Sequence, residues 1–241
     1  MSGRRIQSFV TQFLRYLIDP SICPGCAEAL LAGQHYCSAC VLRLEPMPKP
    51  CLLCGLENKS STEVCAVCLY DPPAWDKMIA PLIYRGMTRD LLIQLKFSQQ
   101  LEITRSLALQ LSRYFNHSDD RPDILIPVPL HPKRLIERGF NQAFEIGTII
   151  SSLTDIPLKD GLLRRIKNTE SQSGLSAAKR QQNIRNSFQY ESSQVYSHVA
   201  IVDDIITTGS TVNEITRVLK RAGINRVDVW GLARVPSQAS E

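Results

Sequence analysis

At 241 residues the chain is long enough for one large domain and a small one. A hydrophobic content of 44% is that of a folded globular protein, and no apolar run reaches the length of a membrane span. Residues 1–75 hold six cations and six acids, so the whole net charge of +5 falls on 76–241; that excess suits phosphates or nucleic acid, and equally an ordinary solvated surface.

In chain order, the first predicted element is a helix over residues 4–18, within a segment 1–20. Ile6, Phe9, Val10, Phe13, Leu14, Leu17 and Ile18 share one face, and Asp19-Pro20 ends it. Such a face packs on the protein body, or lies on a membrane surface or a partner. The stretch lacks the apolar core and small-residue cleavage site of a secretory signal, so the cytoplasm is the expected compartment.

All eight cysteines fall in a module predicted over residues 21–73. Cys23/Cys26, Cys37/Cys40, Cys51/Cys54 and Cys65/Cys68 are C-x-x-C pairs, each starting 14 residues after the last. Two such pairs complete a tetrahedral Zn²⁺ site, so four pairs predict two closed, structural zinc sites. Sharing Cys23 to Cys40 and Cys51 to Cys68 costs the least loop ordering; interleaved sharing fits the same spacing. Redox pairs, disulfides or an iron–sulfur cluster are the rival chemistries.

A second domain is expected over residues 75–236, with a flexible tail at 237–241. Its predicted elements are a strand over Met78–Tyr84, helices over Arg89–Phe97 and Leu101–Phe115, and a buried strand over Ile124–Val128 ended by prolines. The basic stretch His131–Ala143 then runs into a helix over Gln142–Leu153. Leu162–Ile166 reads as a strand, residues 168–185 as a polar, basic connection, and Arg226–Val235 as the last strand.

Between the last two lies the stretch richest in chemistry. Val199–Val202 reads as a short buried strand, closed by Asp203 and Asp204. Thr207, Thr208, Gly209, Ser210 and Thr211 make a hydroxyl-rich turn, and Val212, Ile215, Val218 and Leu219 follow at helical spacing. Thr211 and Glu214 fit a capping box at the helix start. A helix N-terminus attracts phosphate, Gly209 admits close backbone approach, and the hydroxyls add donors. Two carboxylates beside that cradle suit a ligand with hydroxyls, or a bound Mg²⁺. A ribose 5-phosphate carries both kinds of group.

Val199–Thr211 resembles the phosphoribosyl pyrophosphate (PRPP) motif of type I phosphoribosyltransferases. That resemblance implies that Asp203 and Asp204 take the ribose 2- and 3-hydroxyls and that Thr207 to Thr211 take the 5-phosphate. It also implies a pyrophosphate loop after the first core strand, with Lys133, Arg134 and Arg138 as candidates and Asn141 and Gln142 as polar partners. A lid is implied over 168–185, bringing Lys179, Arg180 or Arg185 to the diphosphate, and an acceptor hood that includes residues near Met78–Phe97. The order of cysteine pairs, Pro127-Val-Pro-Leu-His-Pro132, Arg138-Gly-Phe-Asn-Gln142, Gln172-Ser-Gly-Leu-Ser-Ala-Ala-Lys-Arg180 and Val202-Asp-Asp-Ile-Ile-Thr-Thr-Gly-Ser-Thr211 resembles the ComF/GntX family. Ser210 stands where many relatives have alanine.

The implied fold is an α/β, doubly wound parallel sheet of type I phosphoribosyltransferase kind, with a small N-terminal zinc module. The implied function is Mg²⁺-dependent phosphoribosyl transfer to an unknown acceptor, linked to DNA uptake or use of external DNA. The alternative is a non-catalytic PRPP or nucleotide sensor whose zinc module contacts single-stranded DNA or a DNA-processing protein. His131, beside the diphosphate loop, is a weak candidate for a general base; a turn role competes with it.

Overall fold

The computed structural model describes residues 22–23, 25–30, 37–97, 101–112, 120–167, 184–192, 194 and 196–236. The helix expected over 4–18 and the tail over 237–241 lie outside the described residues.

Five strands make one parallel sheet: β1 (Lys77–Ile79), β2 (Leu82–Ile83), β3 (Ile124–Pro127), β6 (His198–Ile206) and β7 (Arg226–Arg234). The remaining strands, β4 (Leu163–Arg165) and β5 (Phe188–Tyr190), form a separate antiparallel pair. The helices are α1 (Ser38–Val41), α2 (Ala66–Tyr70), α3 (Gly86–Phe97), α4 (Leu101–Ser112), α5 (Pro132–Arg138), α6 (Gln142–Thr154) and α7 (Ser210–Arg221).

Sheet order is β1–β7–β6–β3, with β2 continuing beside β7 where β1 stops. The sequence predicts one strand over Met78–Tyr84, but the structure has two. Pro81 has no N–H for the ladder, and its carbonyl instead accepts from the Met47 N–H at 2.7 Å. The first half of the segment expected to contribute to the hood thus forms the edge of the sheet.

Side chains alternate between two cores. Val199, Ile201, Val227 and Val229 face one, with Ile124 and Ile126; Ala200, Val202, Trp230 and Leu232 face the other, with Leu125. Leu91 and Leu95 of α3, Ile103 and Leu107 of α4, and Ile146 and Ile150 of α6 cover the second face. Val212, Ile215 and Leu219 of α7 cover the first. Burying each such side chain contributes roughly 1.5–3 kcal/mol, and both faces need cover because the strands are apolar on both.

The connections create a crevice. After β3 the chain passes through α6 and bridges Leu158 to Leu125 on the outer side of β3. It then returns to the inner side as β6 and continues into α7 on the opposite face. At such a reversal the loops splay to opposite faces, which opens a site at the carboxyl ends of β3 and β6.

The cysteine module is two copies of one unit. Ile22 bridges Ala29 and Pro50 bridges Glu57; the Cys23 N–H bonds Glu28 and the Cys51 N–H bonds Leu56, both at 2.7 Å. Ala27 and Gly55, at matching places, both have positive φ. The module docks on the sheet edge: Pro46 pairs antiparallel with Leu82, and the Ile83 N–H bonds the Glu45 carbonyl at 2.8 Å. An edge covered in this way offers no free ladder to another chain.

At the far end of the sheet, Arg226 donates to Asp120 (2.7 Å) and to the buried Asp228 (3.1 Å). Arg226→Ala leaves the buried Asp228 carboxylate with only the His198 imidazole, 3.1 Å away, among the ion pairs described, so it should lower the unfolding free energy by about 2–3 kcal/mol, read from the urea midpoint. The hydrogen bond from Arg226 holds Asp120 below its ordinary value. Its stabilising contribution is therefore present above the unfolded value and fades as pH falls through the lowered one; the variant should lose that part of the acid sensitivity.

Candidate functional site

β6 runs further than the sequence predicts. Its ladder with β7 continues from His198–Arg226 to Ile206–Arg234, through the acid pair. β3 stops earlier, its last partners being Pro127 and Val202. Asp203 and Asp204 therefore sit on a strand that is paired on one side and has left its other neighbour behind. Both are half-buried. Asp203 Oδ1 accepts the Asp204 N–H at 2.9 Å, and Asp204 Oδ1 accepts the Ile205 N–H at 2.7 Å, which fixes both carboxylates at the crevice.

Thr207 and Thr208 are exposed at the end of β6. Gly209 turns the chain at φ +78° and caps α7, whose first turn holds Ser210 and Thr211. The hydroxyls of Thr208 and Ser210 are 2.8 Å apart. The predicted capping box does not form: α7 begins at Ser210, and no side chain caps it through Gly209. Glu214 is drawn away instead, because its Oε1 accepts the Asn186 N–H at 2.8 Å in a buried position. The Ser210 N–H donates to the Thr208 hydroxyl at 3.3 Å; without a capping box the rest of the first turn keeps N–H donors for a ligand.

The basic stretch after β3 folds as its own helix, α5, rather than running straight into α6. His131 caps it by accepting the Lys133 N–H at 3.3 Å, and Gly139 at φ +81° ends it. Asn141 caps α6 through Ala143 and donates to the Val128 carbonyl at 3.1 Å, while Gln142 accepts from Arg138 at 2.7 Å. Asn141 and Gln142 therefore shape the loop. Lys133 is exposed; Arg134 and Arg138 are half-buried.

Two further residues feel the charge of the acid pair. Arg165, on β4, is pulled down by burial and by Arg134, while Asp203 opposes both. Its guanidinium also lies 5.6 Å from the centroid of the Phe188 ring. Tyr84 is pushed up by burial, drawn down by Arg89, and pushed up again by Asp204. Period-two reading of Leu163-Arg-Arg165 was the available signal for Arg165, which shares the side of Leu163 while Arg164 pairs outward with Glu191 at 3.1 Å. Lys179 and Arg180 lie outside the described residues. Arg185 is described, but it lines a cavity of about 390 Å³ with Ala74, Asn186, Glu214, Arg217, Lys220 and Arg221 along α7. That places it on the flank of α7; residues 168–183 of the expected lid lie outside the described residues.

The cysteines assemble as Cys23, Cys26, Cys37, Cys40 and as Cys51, Cys54, Cys65, Cys68, the four sulfurs of each set within 4.8 Å of one another. Sharing is consecutive. Sulfurs 2.3 Å from a central ion at tetrahedral angles lie about 3.8 Å apart; Cys26 and Cys37 are at 3.6 Å, Cys54 and Cys65 at 3.9 Å. The Cys37 N–H points at Cys23 Sγ (3.4 Å) and the Cys65 N–H at Cys51 Sγ (3.3 Å). Burial pushes the Cys23 and Cys51 thiols up, but backbone N–H donors hold each at about 7. Burial pushes Cys54 up to about 11. Both sets fit a tetrahedral thiolate-bound metal.

A parallel sheet with two aspartates and a threonine–glycine turn at its carboxyl edge defines a phosphoribosyltransferase-type domain, and residues 141–241 match the phosphoribosyl transferase domain family. Competence protein F of Haemophilus influenzae is 38% identical over 85% of this chain and 92% of its own. DNA utilization protein YhgH of Escherichia coli K12 is 34% identical over 90% of this chain and 99% of its own. Competence protein ComFC of Bacillus subtilis is 27% identical over 80% of this chain and 81% of its own. The chain belongs to the ComF/GntX family, which these proteins represent. Among the described residues no helix is long and apolar enough to cross a membrane.

A Cβ at Gly209 would lie 2.8 Å from Trp75 Cη2 in a left-handed backbone. Gly209→Ala should therefore lower the unfolding free energy by about 2–4 kcal/mol, measured by urea titration.

Proposed function

We propose that the chain binds PRPP with Mg²⁺ at the crevice between β3 and β6 and transfers the phosphoribosyl group to an acceptor in the handling of external DNA. The supporting observation is the continuity of β6 into the turn: half-buried carboxylates at Asp203 and Asp204, then exposed hydroxyls and an open helix start within a few residues. Asp203 and Asp204 accept from the ribose hydroxyls. Backbone N–H groups and hydroxyls of Thr207, Thr208, Gly209, Ser210 and Thr211 hold the 5-phosphate. Arg134 and Arg165, with Lys133 and Arg138, face the diphosphate, and Lys179 and Arg180 are assigned to it as well. The C1–O bond breaks with its electron pair leaving on the diphosphate, and an acceptor lone pair forms the new bond to C1. The fixed cations stabilise the departing charge because they need no reorganisation. An all-oxygen donor set suits Mg²⁺, which when bound supplies Lewis-acid charge to the diphosphate oxygens.

Each cysteine set is assigned one structural Zn²⁺, since four thiolates leave no open position. Protein purified without chelator should carry two equivalents of zinc, and Co²⁺ grown into both sites should give tetrahedral thiolate spectra; metal analysis finding neither ion removes the assignment.

The decisive test is calorimetric. Asp203→Asn combined with Asp204→Asn should abolish Mg²⁺-dependent PRPP binding, and unchanged affinity defeats the reading. Diphosphate release with a panel of bases, nucleotides and DNA ends then names the acceptor.

One observation favours a second reading, a binding protein for single-stranded nucleic acid. Arg185, Arg217, Lys220 and Arg221 line a cavity whose single carboxylate, Glu214, already holds the Asn186 N–H. Lys220 is paired with Asp76 at 2.9 Å, which leaves three guanidiniums for phosphates. On that reading, replacing Arg185, Arg217 and Arg221 by Ala should flatten the slope of log affinity against log salt by about 2. An unchanged slope sinks it.

A further inference from the structure

The module's second cysteine set lies against the phosphate turn, and two side chains span the gap. Arg234, at the end of β7, is only 6% exposed. Its Nε donates to the Cys54 carbonyl at 2.9 Å. On its other side Nη1 donates to the carbonyls of Ile206, at 3.0 Å, and of Thr207. One guanidinium thus bonds the backbone of a metal ligand and the backbone that starts the turn. Trp75 repeats the connection. Its indole N–H donates to the Leu53 carbonyl, inside the same C-x-x-C pair, while its ring blocks the place where a Gly209 Cβ would stand.

Burial of this guanidinium needs a counter-charge. The backbone that Arg234 bonds at Cys54 belongs to a four-cysteine set. A dication inside four thiolates leaves a net double negative charge, the kind of partner a buried cation requires. The first cysteine set has different neighbours: Met87 of α3 lies over Gly25 and shares a core with Cys23 and Cys40.

We propose that Arg234 is a positioning residue that couples the Cys51–Cys68 metal site to the Ile206–Gly209 turn, so that loading this site, and not the Cys23–Cys40 site, holds the turn in its anion-binding form. The coupling rests on the reading of that turn as the 5-phosphate site. The metal then acts at a distance: it touches no substrate, but it fixes the carbonyls of Leu53 and Cys54, and through Trp75 and Arg234 the loop that meets the phosphate.

The test uses the full zinc-loaded chain and reads the loop without any ligand. Hydrogen–deuterium exchange is followed in peptides covering residues 205–212 (the turn) and 86–97 (α3). Arg234→Met should speed exchange in the turn about tenfold, as expected for losing hydrogen bonds to a charged donor, and leave α3 unchanged. Arg234→Lys, which keeps the charge without the fork, should fall between the two. Cys68→Ser should copy Arg234→Met in the turn, whereas Cys40→Ser should not. PRPP affinity in the presence of Mg²⁺ should weaken in the same order. Normal turn exchange in Arg234→Met, or equal turn exchange in Cys40→Ser and Cys68→Ser, overturns the coupling. Failure of the wild-type protein to bind PRPP is a separate result: it removes the ligand assignment, while the exchange data still decide whether the metal site governs the turn.

Discussion

One strand outlasts its neighbour, and the candidate site follows from that mismatch. β6 stays hydrogen-bonded to β7 as far as Ile206, while β3 leaves it at Val202. The β7 side keeps Asp203 and Asp204 on rigid backbone; the abandoned side gives them room. Were both neighbours to stop together, the carboxylates would hang from a loop and lose their fixed aim. Were both to continue, an apolar ladder would enclose them at a cost two carboxylates cannot meet. The turn that follows inherits this rigidity, because Gly209 lies within a few residues of the last ladder pair and against Trp75.

Around that strand the molecule places charge asymmetrically. The far end of the sheet is tied by Arg226 to Asp120 and Asp228, a closed network in which each charge meets an opposite one. Near the crevice, cations come from three different segments. Arg134 stands on α5, Arg165 on β4 and Arg234 on β7. Burial, and after it Arg134, disfavours the charge on Arg165, and Asp203 relieves it in part.

What the sequence made legible was local. The cysteine spacing pointed to two four-sulfur sites, because ligand spacing is a property of a few adjacent residues, and left consecutive and interleaved sharing open. The strand–acid–threonine–glycine–helix order located the turn for the same reason. Longer-range pairing was not legible. Nothing within Val199–Ile206 tells that β7 will run beside Asp204, and so the strand read too short. Glu214 matches a capping box in sequence, but in the fold it is buried against Asn186 and bonds there instead. Arg234 follows an apolar run and looks like a strand-end charge; its partners, Cys54 and Ile206, lie far away in sequence. Pro81 was visible, and its effect on the Met78–Tyr84 strand was predictable from the missing N–H alone.

The duplicated cysteine unit has diverged in its tolerance for side chains. Ala27 and Gly55 hold corresponding left-handed positions, at φ 60° and 67°. The first copy already carries a methyl group there, in an exposed place. In the second copy a methyl would come within 3.0 Å of Met78 Sδ, on the first strand of the sheet. The two cysteine knots are therefore alike in their sulfurs and unlike in their surroundings: one turns its left-handed corner to the surface, while the other is moulded against the body it grips.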